Sequence, residues 1–408
     1  MTLSDVANSW LAAHNDDLVG WRRHIHRYPE LGRQEYATTQ FVAERLVEAG
    51  LNPKVLPGGT GLTCDFGPDR EPRIALRADM DALPMAERTG AEYASTMPNA
   101  AHACGHDGHT AILLGTALAL AGAPELPVGL RLVFQPAEEL MPGGAIDTIA
   151  AGAMSGVSRI FALHCDPRLD TGLLGVRVGA ITAACDKVKV TLSGPGGHTA
   201  RPHLTADMVY ALGKIVTEVP AALTRRVDPR AGLSLVWGHV SAGSAANAIP
   251  DEGVVEGTVR CLDADVWRSA VALIEDLVQS VATSYGVTAK VEYLSAVPPT
   301  VNEAASAAML AAAAADVLGP GAVTDTPQSL GGEDFAWYLH LVPGAMARLG
   351  TRAPGGPGVG DLHQPTFDID ERAIGAGVRV LAAVVARGTT PAAAERPGEH
   401  GNSPPPAD

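Results

Sequence analysis

Arg73-Ile74-Ala75-Leu76-Arg77-Ala78-Asp79-Met80-Asp81-Ala82-Leu83-Pro84 decides how the fold is read. The run begins as an apolar-rich strand and closes on two aspartates at i and i+2, positions that share one face of an extended chain. Carboxylates so placed stand at the C-terminal edge of a sheet, where open α/β folds bind ligands. Working outward, the same arrangement recurs. Leu130 to Phe134 is a short buried strand that breaks into Gln135-Pro136-Ala137-Glu138-Glu139, and Phe161-Ala162-Leu163-His164 is a strand with histidine at its end. Gly360-Asp361-Leu362-His363 adds a further histidine near the C-terminus. Several strand ends and turns, each carrying a metal-ligand type, predict an α/β domain built around a metal site.

The densest of these segments is His102-Ala103-Cys104-Gly105-His106-Asp107-Gly108-His109. Thiolate and imidazole hold zinc-like cations at neutral pH, and residues two apart on a helix face apart, so Cys104 and His106 converge only on a turn. Gly105 and Gly108 permit that turn, and the apolar run Thr110 to Leu120 predicts a buried helix behind it. At Glu138-Glu139, neighbouring acids point in different directions. One can bind a cation while the other acts on water as a general base, the division of labour in metal-assisted hydrolysis.

Ala78 to Pro84, His102 to His109, Phe134 to Glu139, Gly196-Gly197-His198 and Glu333-Asp334-Phe335 together resemble the co-catalytic metallohydrolases that include aminoacylases and carboxypeptidase G. More narrowly, they are similar to the branch holding hippurate hydrolase and the hydrolases of indole-acetyl amino acid conjugates. The resemblance covers the chain from about Trp21 to Arg387. It implies two divalent metal ions (Zn, Mn, Ni or Co) held by Cys104, His106, Glu139, His164 and His363, with Cys104 bridging and Glu138 as general base. The wider family has a His-x-Asp pair where this chain has Asp79-Met80-Asp81, so Asp81 is assigned to support of the ligands and counted with the catalytic residues. His198 is implied to stabilise the tetrahedral oxyanion, often from the partner subunit of a dimer. Asn247 matches the contact to the substrate carboxylate, with His203 or Arg260 assisting. Gly331-Gly332-Glu333-Asp334-Phe335 departs from the family by a glycine at 332 where alanine is usual, and reads as a loop lining the site. Arg22-Arg23-His24-Ile25-His26 matches the family's N-terminal helix and is read as structural.

Length and charge agree with a metabolic enzyme. A chain of 408 residues suits two domains, and a net charge of -15 argues against nucleic acid and anionic membrane as partners. The five cysteines, at 64, 104, 165, 185 and 261, form no disulfide framework, and the N-terminus has no leader pattern, which together point to the cytoplasm. The expected fold is α/β: a helix-covered mixed-sheet catalytic domain with an inserted ferredoxin-like α+β lid or dimerisation domain. Residues 1–185 form its first part, 186–296 the insertion and 297–388 the second part, with a disordered tail at 389–408. The insertion is read from strands Lys187 to Leu192, Leu233 to Val240, Val254 to Cys261 and Lys290 to Leu294 around helices Thr205 to Leu223 and Val266 to Tyr285, a split βαβ order.

The expected function is hydrolysis of the amide bond of an N-acyl amino acid, hippurate-like or a related conjugate, by a homodimer. A dipeptidase or deacetylase of the same superfamily shares these residues. Two readings of other classes stand beside it: a thiol hydrolase with Cys104 as nucleophile activated by His106, and a metal-containing binding protein without turnover.

Overall fold

The computed structural model describes residues 2–69, 72–356 and 360–388. The tail read as disordered lies outside them. An eight-stranded mixed sheet runs in the order Pro53–Val55, Leu62–Phe66, Gly129–Gln135, Arg73–Asp79, Val157–Asp170, Gly344–Arg352, Leu174–Val176, Val323–Asp325. Its central strands Gly129–Gln135, Arg73–Asp79, Val157–Asp170 and Gly344–Arg352 are mutually parallel. The last of these comes from beyond the insertion, so the catalytic sheet is completed only when the chain returns to it.

Strand Arg73–Asp79 is buried along nearly its whole length because both faces of the sheet are covered. One face packs on helices Leu3–Arg27, Tyr36–Glu48, His106–Ala121, Ala304–Leu318 and Arg372–Ala386. Helix His106–Ala121 lies against both Leu3–Arg27 and Arg372–Ala386 and is buried nearly all round, as its apolar composition requires. It starts at His106, not at Thr110: the polar residues His106, Asp107 and His109 are helical and buried, with partners that replace water. Gly108 therefore serves packing, since a Cβ there would meet Ile369 Cδ1 at 2.8 Å.

The insertion forms its own antiparallel sheet, in the order Ser234–Ala242, Glu252–Cys261, Ala184–Ser193, Thr288–Val297. Helices Met208–Arg226 and Ala264–Ser284 cover one face and share a separate core with it. Strand Ala184–Ser193 alternates buried and exposed residues over most of its length, the period of a sheet covered on one side. This is the ferredoxin-like order expected from the sequence.

Candidate metal centre

The site lies where strands Arg73–Asp79 and Gly129–Gln135 end and helix His106–Ala121 begins. Gly105 caps that helix in the left-handed conformation (φ 85°), which turns the chain so that Cys104 and His106 converge. A side chain there would also press on Cys165, whose Sγ lies 2.9 Å from a built Cβ. Arg22 Nε and His26 Nδ1 hold Asp107 Oδ2 at 2.6 and 2.8 Å, which fixes the first turn of the helix. The Arg22–His26 segment thus anchors the helix that carries the site.

Strand Arg73–Asp79 ends one residue short of Met80, so Asp79 and Asp81 are not two positions of one extended face. Asp79 is fully engaged: Oδ1 accepts from His109 Nδ1 at 2.5 Å and Oδ2 from Arg77 Nη1 at 2.6 Å. Asp81 turns to the next strand end instead, where its carboxylate accepts the backbone N–H groups of Glu138 and Glu139, both at 2.9 Å. Ala137, at φ 56°, bends the chain just before them, and its N–H donates to the buried Glu35 at 2.7 Å.

Two histidines are held with one nitrogen facing the site. His106 Nδ1 lies 2.9 Å from the carbonyl of Asp81 and His164 Nδ1 lies 2.7 Å from that of Cys165. A carbonyl only accepts, so each Nδ1 carries the hydrogen and each neutral ring leaves its Nε2 lone pair free for a cation. His109 offers none, because its Nε2 already accepts from the Cys165 amide at 2.8 Å. His102, buried nearby, belongs to none of the ligand groupings among the described residues.

Ligand atoms of Cys104, His106 and His164 lie within 4.8 Å of one another, as do those of Cys104, Glu139 and His363, and of His106, Glu138 and Glu139. His363 reaches the group from the second part of the chain. Its backbone is left-handed (φ 63°), and its N–H donates to the carbonyl of Ala103 at 2.8 Å, which places Nε2 3.2 Å from Glu139 Oε1. His106 Nε2 is buried without a hydrogen-bond partner; it stands 3.7 Å from Asp79 Oδ2, 4.0 Å from Glu138 Oε2 and 3.9 Å from Glu139 Oε1. Those distances are too long for hydrogen bonds. The spacing of His106 from Glu139, with Asp79 committed to His109 and Arg77, fits a divalent cation among sulfur, nitrogen and oxygen donors that suit a borderline metal.

Electrostatics agree. Burial opposes protonation of His106, yet Asp79, Asp81 and Glu139 outweigh it and push its pKa up to about 10. A site that draws a proton so strongly carries surplus negative charge, which a cation can balance in the proton's place. Burial, reinforced by Glu333, Glu139, Asp334 and Asp79, pushes Glu138 well above the usual carboxylate range. Burial, with Glu139 and Glu138 beside it, also pushes the Cys104 thiol well up, the opposite of what a free nucleophilic cysteine needs.

Behind the ligands lies a group that the sequence did not reveal. Buried Arg77 donates to Gln135 Oε1 at 2.9 Å, Asp79 Oδ2 at 2.6 Å and Asp334 Oδ1 at 2.9 Å, and pairs with Glu333 Oε1 at 3.1 Å. An arginine inside an otherwise apolar strand, two residues before an aspartate, was the available signal.

The insertion's candidates make contacts of their own. His198 is exposed and pairs in register with Ala248, and the Thr199 amide donates to the carbonyl of Asn247 at 3.3 Å, so His198 and Asn247 are neighbours on one small ribbon. His203 is exposed on the turn Pro202–Leu204, and Arg260 Nη1 donates to the carbonyl of Leu330 at 3.0 Å. Among the described residues, no hydrogen bond or ion pair links His198, Asn247 or His203 to the ligand cluster. A groove of about 610 Å³ on the outer face of the insertion sheet, lined by Lys187, Val236, His239, Glu256 and Leu294 among others, shares no residue with that cluster.

Residues 75–387 match peptidase family M20/M25/M40. The N-acetyl-L-cysteine deacetylase of Bacillus subtilis is 37% identical over 92% of this chain and 89% of its own length. An IAA-amino acid hydrolase of Arabidopsis thaliana is 34% identical over 94% and 90%. The crystal structure of a dinuclear metal binding peptidase of Bacillus subtilis, from the M20 family, superimposes with a TM-score of 0.81 at 31% identity, covering 92% of this chain and 98% of that one. A Rhodococcus jostii protein named as a glutamate–cysteine ligase is 50% identical over 90% of this chain, which spans only 46% of that protein. A sheet edge lined with thiolate, imidazole and carboxylate donors, in a chain with these relatives, leads to one conclusion: the chain belongs to peptidase family M20/M25/M40, in its branch of deacetylases and IAA-amino acid hydrolases, and is a metal-dependent amide hydrolase.

Proposed function

We propose that the chain hydrolyses the amide bond of N-acyl amino acids, releasing a carboxylic acid and a free amino acid. The observation that carries this reading is Glu138: its backbone is fixed by Asp81, and its carboxylate lies within 4.8 Å of His106 and Glu139 while standing outside both groupings that contain Cys104. That is the place of a base beside a ligand set. Cys104, His106 and His164 form one such grouping and Cys104, Glu139 and His363 another, so we assign these five residues to two divalent ions, among Zn, Mn, Ni and Co, with the Cys104 thiolate open to both.

Divalent cations held there supply Lewis acidity toward a carbonyl oxygen and lower the pKa of water. Glu138 takes a proton from the attacking water and returns it to the amide nitrogen as the C–N bond breaks. His198 donates to the oxyanion, and Asn247, His203 and Arg260 receive the amino acid's carboxylate. Because His198 sits on the insertion, this role requires closure or its delivery by a second copy, and we propose a homodimer. Val236, Val240 and Leu294 are exposed on the insertion sheet, which supports such an interface. All five cysteines are buried and unpaired, in keeping with a reducing cytoplasm as the proposed compartment.

The test is amino acid release from a mixed library of N-acyl amino acids and dipeptides, scored by mass spectrometry with chelator and with added metals. Metal-dependent release from N-acyl amino acids supports the reading. Release from dipeptides or N-acetyl compounds alone would move it to a dipeptidase or deacetylase. No release with metal bound would move it to a binding protein.

A further inference from the structure

Arg348 lies on strand Gly344–Arg352, in parallel register with His164 on strand Val157–Asp170. Register partners of a parallel pair project from the same face, so Arg348 rises beside the imidazole whose Nε2 is 3.6 Å from Cys104 Sγ. It is 6% exposed. At that depth a guanidinium ordinarily has carboxylate or carbonyl partners, because an uncompensated buried charge is costly.

Here the nearest carboxylates are turned, in part or in whole, to other groups. Among the described residues, no hydrogen bond or ion pair reaches Arg348. Glu333 Oε1 is engaged with Arg77 at 3.1 Å and with the Phe335 amide at 3.0 Å, and Asp166 is held by Arg168 at 2.9 Å through both oxygens. Burial pushes the Arg348 guanidinium below its ordinary value, and Glu333, Asp166 and Cys104 only partly offset it. At 6% exposure the side chain is nevertheless not fully enclosed. The result is a cation on the catalytic sheet, beside the proposed ligands, with its donors uncommitted.

We propose that Arg348 receives a second carboxylate of the substrate, in addition to the α-carboxylate assigned to the insertion, and so selects N-acyl amino acids that carry an extra negative charge. The charge has two sources, an anionic acyl group or an acidic side chain on the amino acid. The proposal rests on the N-acyl amino acid reading above.

Two matched pairs separate the sources: N-succinyl-alanine against N-pentanoyl-alanine, and N-acetyl-glutamate against N-acetyl-glutamine. For the metal-loaded wild type, kcat/KM favours the anionic member of one pair by about tenfold or more, the scale of a charge-assisted hydrogen bond. Arg348→Met lowers that ratio by about tenfold, mainly through KM, and Arg348→Lys retains part of it by keeping the charge. A wild-type ratio near one for both pairs overturns the proposal, as does an equal loss on both members in Arg348→Met, which would make the arginine a support of the metal site. Equilibrium binding of glutarate, read by calorimetry on the metal-loaded proteins, needs no turnover and so separates this inference from the hydrolase reading. The proposal expects glutarate to bind the wild type at least about tenfold more tightly than Arg348→Met, and equal binding contradicts it.

Discussion

Replacing Asp81 by Asn tests how the site is assembled without touching a proposed ligand. The wild-type carboxylate accepts from the Glu138 and Glu139 amides, both at 2.9 Å. Asparagine keeps one acceptor oxygen but turns an NH2 toward the other amide, so one charge-assisted bond is lost and the other weakened. Hydrogen bonds to charged groups contribute about 1.5–3 kcal/mol each, which puts the total at roughly 2–4 kcal/mol. The loss falls on the turn that aims both Glu138 and Glu139. If half of it reaches the metal, affinity falls about 5- to 30-fold at about 1.4 kcal/mol per tenfold, which overlaps the range of about 10- to 100-fold typical of groups that orient ligands. Affinity is measured by competition with a chromophoric chelator, alongside kcat/KM on the best substrate. An Asp81→Asn protein with wild-type metal affinity and wild-type turnover would show that these two bonds do not aim Glu138 and Glu139.

Gly105→Ala should cost about 2–5 kcal/mol, from a left-handed backbone at φ 85° and a Cβ 2.9 Å from Cys165 Sγ; urea unfolding checks it. Arg77→Leu leaves Asp79, Glu333 and Asp334 without their shared cation and should lower stability by about 3–5 kcal/mol by the same assay. His26 gives a pH dependence: burial opposes its charge, but Asp107 and Glu87 overcome this and raise it from 6.5 to about 9. A raised histidine stabilises the fold fully below pH about 6.5 and loses that contribution as pH climbs through about 9, a change of roughly 3 kcal/mol at about 1.4 kcal/mol per pH unit. His26→Gln should flatten that part of the stability profile, and an unchanged slope would count against the assignment. Removing metal should lower the Tm, since cation present at 100 times its Kd adds about 2.7 kcal/mol to the native state.

The ligand types were legible because they stand at strand ends and turns, where a Cys, His or Glu interrupts an apolar run. The insertion was legible for another reason: its sheet is covered on one side, so Ala184–Ser193 shows a period of two and its amphipathic helices a period of 3.6. The catalytic sheet has no such period. Gly344–Arg352 is buried on both faces, and nothing in Gly-Ala-Met-Ala-Arg-Leu-Gly announces that its arginine lies beside His164. Arg77 is hidden likewise, as a charge in a strand whose partners lie 58 and 257 residues away. The apolar pattern sets the helix start four residues late because His106, Asp107 and His109 have the character of loop residues, and only the fold supplies Asp79, Arg22 and His26 to satisfy them. The role of His198 depends on what stands opposite it, and a pattern along one chain carries no such information.

Glu138→Gln bears most directly on the central claim, because it keeps the shape of the side chain and removes only the base. Metal content by elemental analysis and amide hydrolysis should be measured on the same preparation. Wild-type metal content is expected, with turnover reduced at least about 100-fold, the lower range for loss of a general base. Full turnover in Glu138→Gln, or loss of metal in step with activity, would contradict the assignment of Glu138 as the base.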